Sequence, residues 1–244
     1  RNGEVLATNR PIYNLELVKE DINLKTLDTL LAEINQIIPL TEREVSSFKE
    51  RFFKSKPQEA TILKSELTQK EIATLSVNLY RLDGVYIEPE MLRLYPHGEF
   101  AVHAVGYVGR IDEKDLQEID DNHQTKEYKG ISHIGKRGSE KSFESLLRGD
   151  VGFEKVETNS SGRVVRVIEE DPPISGKDIY LTLDLRLQKI AEDALEDHNG
   201  AVVAIDPNNG EILAFVSKPT YDPNPFVKGI SHKDYARLQS DFNT

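Results

Sequence analysis

Residues 201–217, AVVAIDPNNGEILAFVS, place two apolar runs on either side of a turn sequence ending in Gly210. Strands that are apolar on nearly every residue are covered on both faces. Such a hairpin cannot lie on a surface, so the fold must supply a layer on each side of it. Only residues 218–244 follow it. The last ~68 residues hold one helix pattern and these strands, too little to bury their own apolar faces. Something beyond this segment is expected to cover the hairpin.

The remaining pattern mixes helices and strands, which predicts an α+β chain. Residues 4–18 read as a strand, with Pro11 keeping part of it off a central position. Leu24, Leu27, Leu31, Ile34 and Ile38 recur at helical spacing behind Asn23 as cap, and Pro39 ends that helix. Thr41 with Glu44 and Thr68 with Glu71 are capping boxes opening two more helices, with a short strand at 60–67 between them. Residues 85–96 are extended and 100–111 mostly apolar, and His97 and His103 are expected in strand-like segments. A helix is predicted at 112–120, a loop at 121–133, and a helix at 139–148 with Phe143, Leu146 and Leu147 facing inward. FEKVETN and RVVRVIEE form a hairpin around Ser160-Ser161-Gly162. DPPISGKD, 171–178, is the clearest linker and sets a boundary near 172–177. Beyond it a helix capped by Asp184 carries Leu187, Ile190, Ala191, Ala194 and Leu195 as its apolar stripe. A last amphipathic segment, SHKDYARLQS, closes the chain.

A net charge of −11 argues against a nucleic-acid partner, since phosphate contacts need clustered Lys and Arg. The absence of cysteine excludes disulfides and thiolate metal sites. No apolar run is long enough to span a bilayer. The start on Arg1-Asn2-Gly3, a turn without a preceding element, reads as a beginning inside a longer protein, with any membrane anchor upstream.

The catalytic-looking motifs each fail a chemical requirement. GISHIGKRG, 130–138, nearly spells a phosphate-binding loop, but Arg137 stands where a hydroxyl should hold Mg²⁺ and no buried strand precedes it. Ser46-Ser47-Phe48-Lys49 spells S-x-x-K, with Ser76-Val77-Asn78 and Lys136-Arg137-Gly138 as loose companions of a serine acyl-transferase set. Ser46 lies in a charged amphipathic helix with no sign of a cleft, so the set is rejected. The histidines at 97, 103, 123, 133, 198 and 232 lack zinc-binding spacing. The acidic runs at 112–121 and 169–171 read as solvated faces. Catalytic, cofactor-binding and metal-binding residues are therefore expected to be none, and no cofactor is called for.

Longer stretches carry a resemblance. GKRGSEKSFESLLRGDVGFEKVETNSSGRVVR, PPISGKDIYLTLDLRLQ and GAVVAIDPNNGEILAFVSKPTYDPNPFVKGIS resemble the ordered blocks of a class B penicillin-binding protein. RNGEVLATNRPIYNLELV and HAVGYVGRIDEKDL narrow the likeness to the elongation-specific branch. The resemblance implies a single membrane helix upstream, an elongated periplasmic pedestal and a C-terminal D,D-transpeptidase domain at the inner membrane of a Gram-negative cell. Residues 1–173 are then the pedestal, with a head inserted at about 20–90 on an anchor built from both flanks. Residues 176–244 are the incomplete start of the transpeptidase domain, and the hairpin is the opening of its five-stranded sheet. The family acylates a serine with a peptidoglycan stem peptide, or with a β-lactam, and passes the acyl group to a second stem. Its S-x-x-K, S-x-N and K-T-G blocks fall after the region matching DYARLQSDFNT, so no catalytic residue is carried over and residues 1–244 are expected to be inactive. Asn209 replaces a Thr common in the family, and Gly210 still supplies the turn's positive φ. The implied partners of the pedestal are a RodA-type glycosyltransferase and an MreC-type scaffold, with 12–18 and 100–108 as candidate surfaces. A non-catalytic regulatory module and the division-specific relative are the alternatives.

Overall fold

The computed structural model describes residues 1–158 and 164–242. The chain divides into two compact units, Asn9–Leu92 and Arg1–Thr8 with Arg93–Thr244. The Ser160-Ser161-Gly162 turn lies outside the described residues.

The smaller unit is built on β1 (Thr8–Val18), α1 (Leu27–Ile37), α2 (Glu42–Lys54), β2 (Ala60–Lys64), α3 (Gln69–Asn78) and β3 (Val85–Leu94). β1 lies between β2 and β3 in a three-stranded sheet. It pairs antiparallel with β2, Leu17 opposite Thr61, with a bulge at Leu15/Glu16. Burial along β1 changes phase there: Ile12 and Asn14 are buried, then Leu15 and Leu17. Leu15, Leu17 and Leu63 from the sheet meet Leu31 and Ile34 from α1, Phe48 and Phe52 from α2 and Leu75 from α3 in one core. The two phenyl rings stack at 4.9 Å between centroids. Asn14, missed by the apolar pattern, is satisfied where it is buried. It donates to Glu90 at 2.6 Å and accepts from the Ser65 hydroxyl at 2.7 Å.

Both Thr–Glu capping boxes form. The helix expected from Asn23 instead begins with a short 3₁₀ turn, Asn23 accepting from Lys25 N, before α1 starts at Leu27. In the second box Glu71 also pairs with Lys64 at 2.7 Å, both side chains largely buried. Partial burial pushes its carboxyl upward, but bonds from Lys64 and from the Thr68 backbone and hydroxyl outweigh that and hold it at about 2. A carboxylate lowered on folding stabilises above its unfolded value of about 4.3 and loses that contribution as pH falls through its folded value. Urea titrations at pH 5 and at pH 2 should therefore show a loss of stability in this unit that Glu71→Gln diminishes. An equal loss in the variant would rule out this pair as the acid-sensitive contact.

The larger unit contains α4 (Val102–Val105), β4 (Tyr107–Arg110), α5 (Glu113–Asp121), β5 (His133–Arg137), α6 (Gly138–Ser142), α7 (Glu144–Leu147), β6 (Phe153–Thr158), β7 (Val164–Asp171), α8 (Leu185–Ala194), β8 (Gly200–Ile205), β9 (Ile212–Lys218), α9 (Asn224–Lys228) and α10 (His232–Phe242). Its strands form three antiparallel pairs, β4–β5, β6–β7 and β8–β9. Several local expectations are corrected here. His103 sits in α4, not in a strand. The helix expected over 139–148 breaks at Phe143 into α6 and α7, and Phe143 and Leu146 are exposed. The segment 171–178 is held down as well as joining elements. Ile174 and Asp150 exchange backbone bonds at 2.9 and 3.0 Å, and Lys177 N donates to Leu146 O at 2.8 Å. Gly176 is required for that approach, since a Cβ there would lie 1.9 Å from Leu147 O.

Candidate functional site

The residues singled out by motif are tied up in structural roles. Ser46 and Lys49 occupy α2 and do line a groove of about 420 Å³ with Asp28, Leu31 and Val45, which corrects the expectation of no cleft. Lys49 bonds Asp28 at 2.6 Å, however, and the Ser46 hydroxyl donates to Arg43 O at 3.2 Å. The Ser76 hydroxyl and the Asn78 amide donate back to Ile72 O and Thr74 O within α3. In the would-be phosphate loop, Lys136 binds Asp115 and reaches Asp112 at 3.0 Å. Asp115 is thus a partly buried partner of that lysine, where the sequence pattern suggested a solvated face. Among the described residues no group of three His, Asp or Glu could hold a metal ion. No described helix is long and apolar enough to cross a membrane.

The informative region is where segments 93–138 and 180–228 of the larger unit meet. Side chains here bond to backbone across long sequence separations. Asn224 brackets Tyr95, accepting from its N–H at 3.0 Å and donating to its C=O at 3.1 Å. His103 Nε2 donates to Pro219 O, and His133 Nε2 to Val227 O, both at 3.0 Å. Tyr107, Tyr221 and Phe226 fill the space between, Tyr107 and Phe226 at 4.4 Å. Burial, and then Tyr107, push the Tyr221 phenol up to about 12. Nearby, Glu140 is buried and is met by Arg93 at 2.8 Å and by the Tyr95 hydroxyl at 3.2 Å. Burial and that carboxylate raise the Tyr95 phenol far above its ordinary value, so it stays protonated and donates.

Helix α8 inverts its expected face. Leu187 and Ile190 of the predicted stripe are exposed, while Gln188 and Glu192 are 1% and 5% exposed. The reason is the outer edge of β9. Thr182 donates its hydroxyl to Ile212 O at 2.7 Å, and Asp184 N donates to Leu213 O at 2.9 Å. Gln188 then brackets Phe215, donating to its C=O at 2.9 Å and accepting from its N–H at 2.8 Å. That edge is closed from 212 to 215 by side chains and one backbone amide. An unpaired strand edge otherwise recruits another strand.

The opposite edge is open. Val203 stands opposite Phe215 in the ladder. Phe215 turns its N–H and C=O toward Gln188, so this is a non-hydrogen-bonded pair and Val203 likewise turns its own outward. The same holds for Ala201, two residues earlier. No strand among the described residues pairs there. Val203, Ile205 and Phe215 are 49%, 57% and 37% exposed. Among the described residues the whole β8 edge is left for the sheet to grow along, and apolar side chains stand beside it.

Comparison with known proteins adds the following. Residues 1–181 match the model for the penicillin-binding protein dimerisation domain, and residues 200–243 the model for the penicillin-binding protein transpeptidase domain. The chain is 42% identical over 243 residues to the peptidoglycan D,D-transpeptidase MrdA of Acinetobacter baumannii, covering 100% of this chain and 35% of that protein. It is 41% identical over 246 residues to MrdA of Escherichia coli, covering 100% of this chain and 38% of that protein. The chain thus spans little more than a third of these relatives. Among solved structures it resembles a complex between penicillin-binding protein PBP2 and MreC from Helicobacter pylori. That match has a TM-score of 0.74 at 29% identity and covers 99% of this chain and 44% of that one.

Proposed function

The chain belongs to the class B penicillin-binding proteins, and on that premise we propose that it is the pedestal and opening transpeptidase segment of a peptidoglycan D,D-transpeptidase serving cell-wall elongation. Residues 1–173 are the pedestal, and the compaction of 9–92 as a unit supports a head at about 20–90. Residues from 176 begin the acyl-transfer domain. The carrying observation is the β8–β9 pair, with one edge closed by Thr182, Asp184 and Gln188 and the other open beside exposed Val203 and Ile205. The protein would work on the periplasmic face of the inner membrane, held by a helix upstream of Arg1.

The parent reaction is acyl transfer through a serine ester, with a lysine as base and backbone N–H groups receiving the oxyanion. Those groups lie beyond Thr244 on this reading, and none of the motif residues within 1–244 stands in for them. The similarity to a structure described as a PBP2–MreC complex favours an MreC-type partner for this segment, with a RodA-type glycosyltransferase as the enzyme it would serve. One experiment with two arms tests both statements. Fluorescent penicillin should label the protein extended through its transpeptidase domain and leave residues 1–244 unlabelled, while immobilised 1–244 retains an MreC-type protein. Labelling of 1–244 at Ser46 would overturn the first statement, and failure to retain the scaffold the second.

A further inference from the structure

We propose that Ala101, Glu192, Gln188 and Phe215 form a conformational relay coupling the turn ahead of α4 to the closed edge of β9. Ala101 is buried and held at φ +57°, ψ +16°, the left-handed region. A side-chain-bearing residue there is held against its preference by its surroundings. Its C=O accepts from Ala104 N at 3.0 Å and Val105 N at 2.9 Å, and its N–H donates to Glu192 Oε1 at 2.9 Å, the one bond that ties it to α8. The same oxygen accepts from Gln188 Nε2 at 2.7 Å. The Gln188 carboxamide is in turn committed to both backbone groups of Phe215. A single carboxylate oxygen therefore stands between a strained turn and a strand edge.

On this proposal the arrangement has a second state. If Ala101 relaxes to negative φ, its N–H leaves Glu192. A buried carboxylate that loses a donor draws harder on those remaining, because unpaired polar groups are costly in a low-dielectric interior. Gln188 is the donor at hand, and it meets that demand at the expense of Phe215. In the reverse direction, opening the β9 edge frees Gln188 and loosens the acceptor that fixes Ala101. Each end biases the other, which is what coupling between sites requires. The contacts lie within the larger unit and do not depend on the activity of any longer protein.

Amide hydrogen exchange on the 244-residue chain tests the relay. In the unaltered protein the Ala101 and Phe215 amides should open together, with one opening free energy and one denaturant slope. Glu192→Ala removes the acceptor of Ala101 and touches nothing on Phe215, yet should speed exchange at both by about 10-fold or more. Glu192→Gln, which keeps an Oε1 acceptor, should leave both within about 3-fold of the unaltered protein. Faster exchange at Ala101 alone in either variant would overturn the relay. So would two different denaturant slopes in the unaltered chain, a measurement that stands even if a variant fails to fold.

Discussion

Replacing Gly106 by alanine is expected to cost the larger unit about 3–5 kcal/mol, from a backbone region nearly closed to side chains plus overpacking. Gly106 has φ +79°, ψ −154°. A Cβ there would lie 1.8 Å from Arg137 O and 2.3 Å from Arg137 C. Both are backbone atoms and cannot swing away as the end of a long side chain would. Gly138 presses back from the other side, its own Cβ position 2.6 Å from Gly106 N. Gly210→Ala is the control: it also has positive φ, +77°, but nothing lies within 4 Å of the added carbon. It should cost only about 1 kcal/mol, the conformational part alone. Urea midpoints of the two variants measure the difference. Equal losses would mean that the close pass of residues 106 and 137–138 is not what holds α4, β4 and β5 together.

Within GISHIGKRG, two of the three glycines and the lysine have structural roles that need no phosphate. Gly135 and Gly138 are spaced by contacts, Gly135 against Glu140 O and Gly138 against Gly106 N. Lys136 is spent on Asp112 and Asp115. The motif was legible as a pattern, but the partners of Lys136 and Gly138, Asp112, Asp115 and Gly106, lie more than twenty residues earlier, where no local pattern shows them.

The same division runs through the fold. Capping boxes at Thr41 and Thr68 were readable because every atom they need lies within four residues. The helices and hairpins of period 3.6 and 2 were readable for the same reason. Asn14, Gln188, Glu192 and Asn224 were not, because their buried bonds go to groups dozens of residues away, side chains for Asn14 and backbone for the other three. On α8 this reversed the face: the apolar stripe of Leu187 and Ile190 signals burial, yet the β9 edge claims the polar positions instead. The one available clue was Gln188 and Glu192 sharing a face at i, i+4. The hairpin at 201–217 is the opposite case. Its doubly apolar strands called for cover on both faces, and among the described residues Val203 and Ile205 remain exposed.

On the proposed function, β8 is an interior strand of a larger transpeptidase sheet. Hydrogen exchange at the Ala201 and Val203 amides reads this directly, since both point to the open side of β8. In the 244-residue chain they should exchange almost as fast as in an unfolded peptide. In the protein extended through its transpeptidase domain they should slow by about 1,000-fold or more, as ladder amides of a core strand do. Amides that stay fast in the extended protein, or that are already slow in the 244-residue chain, would contradict it.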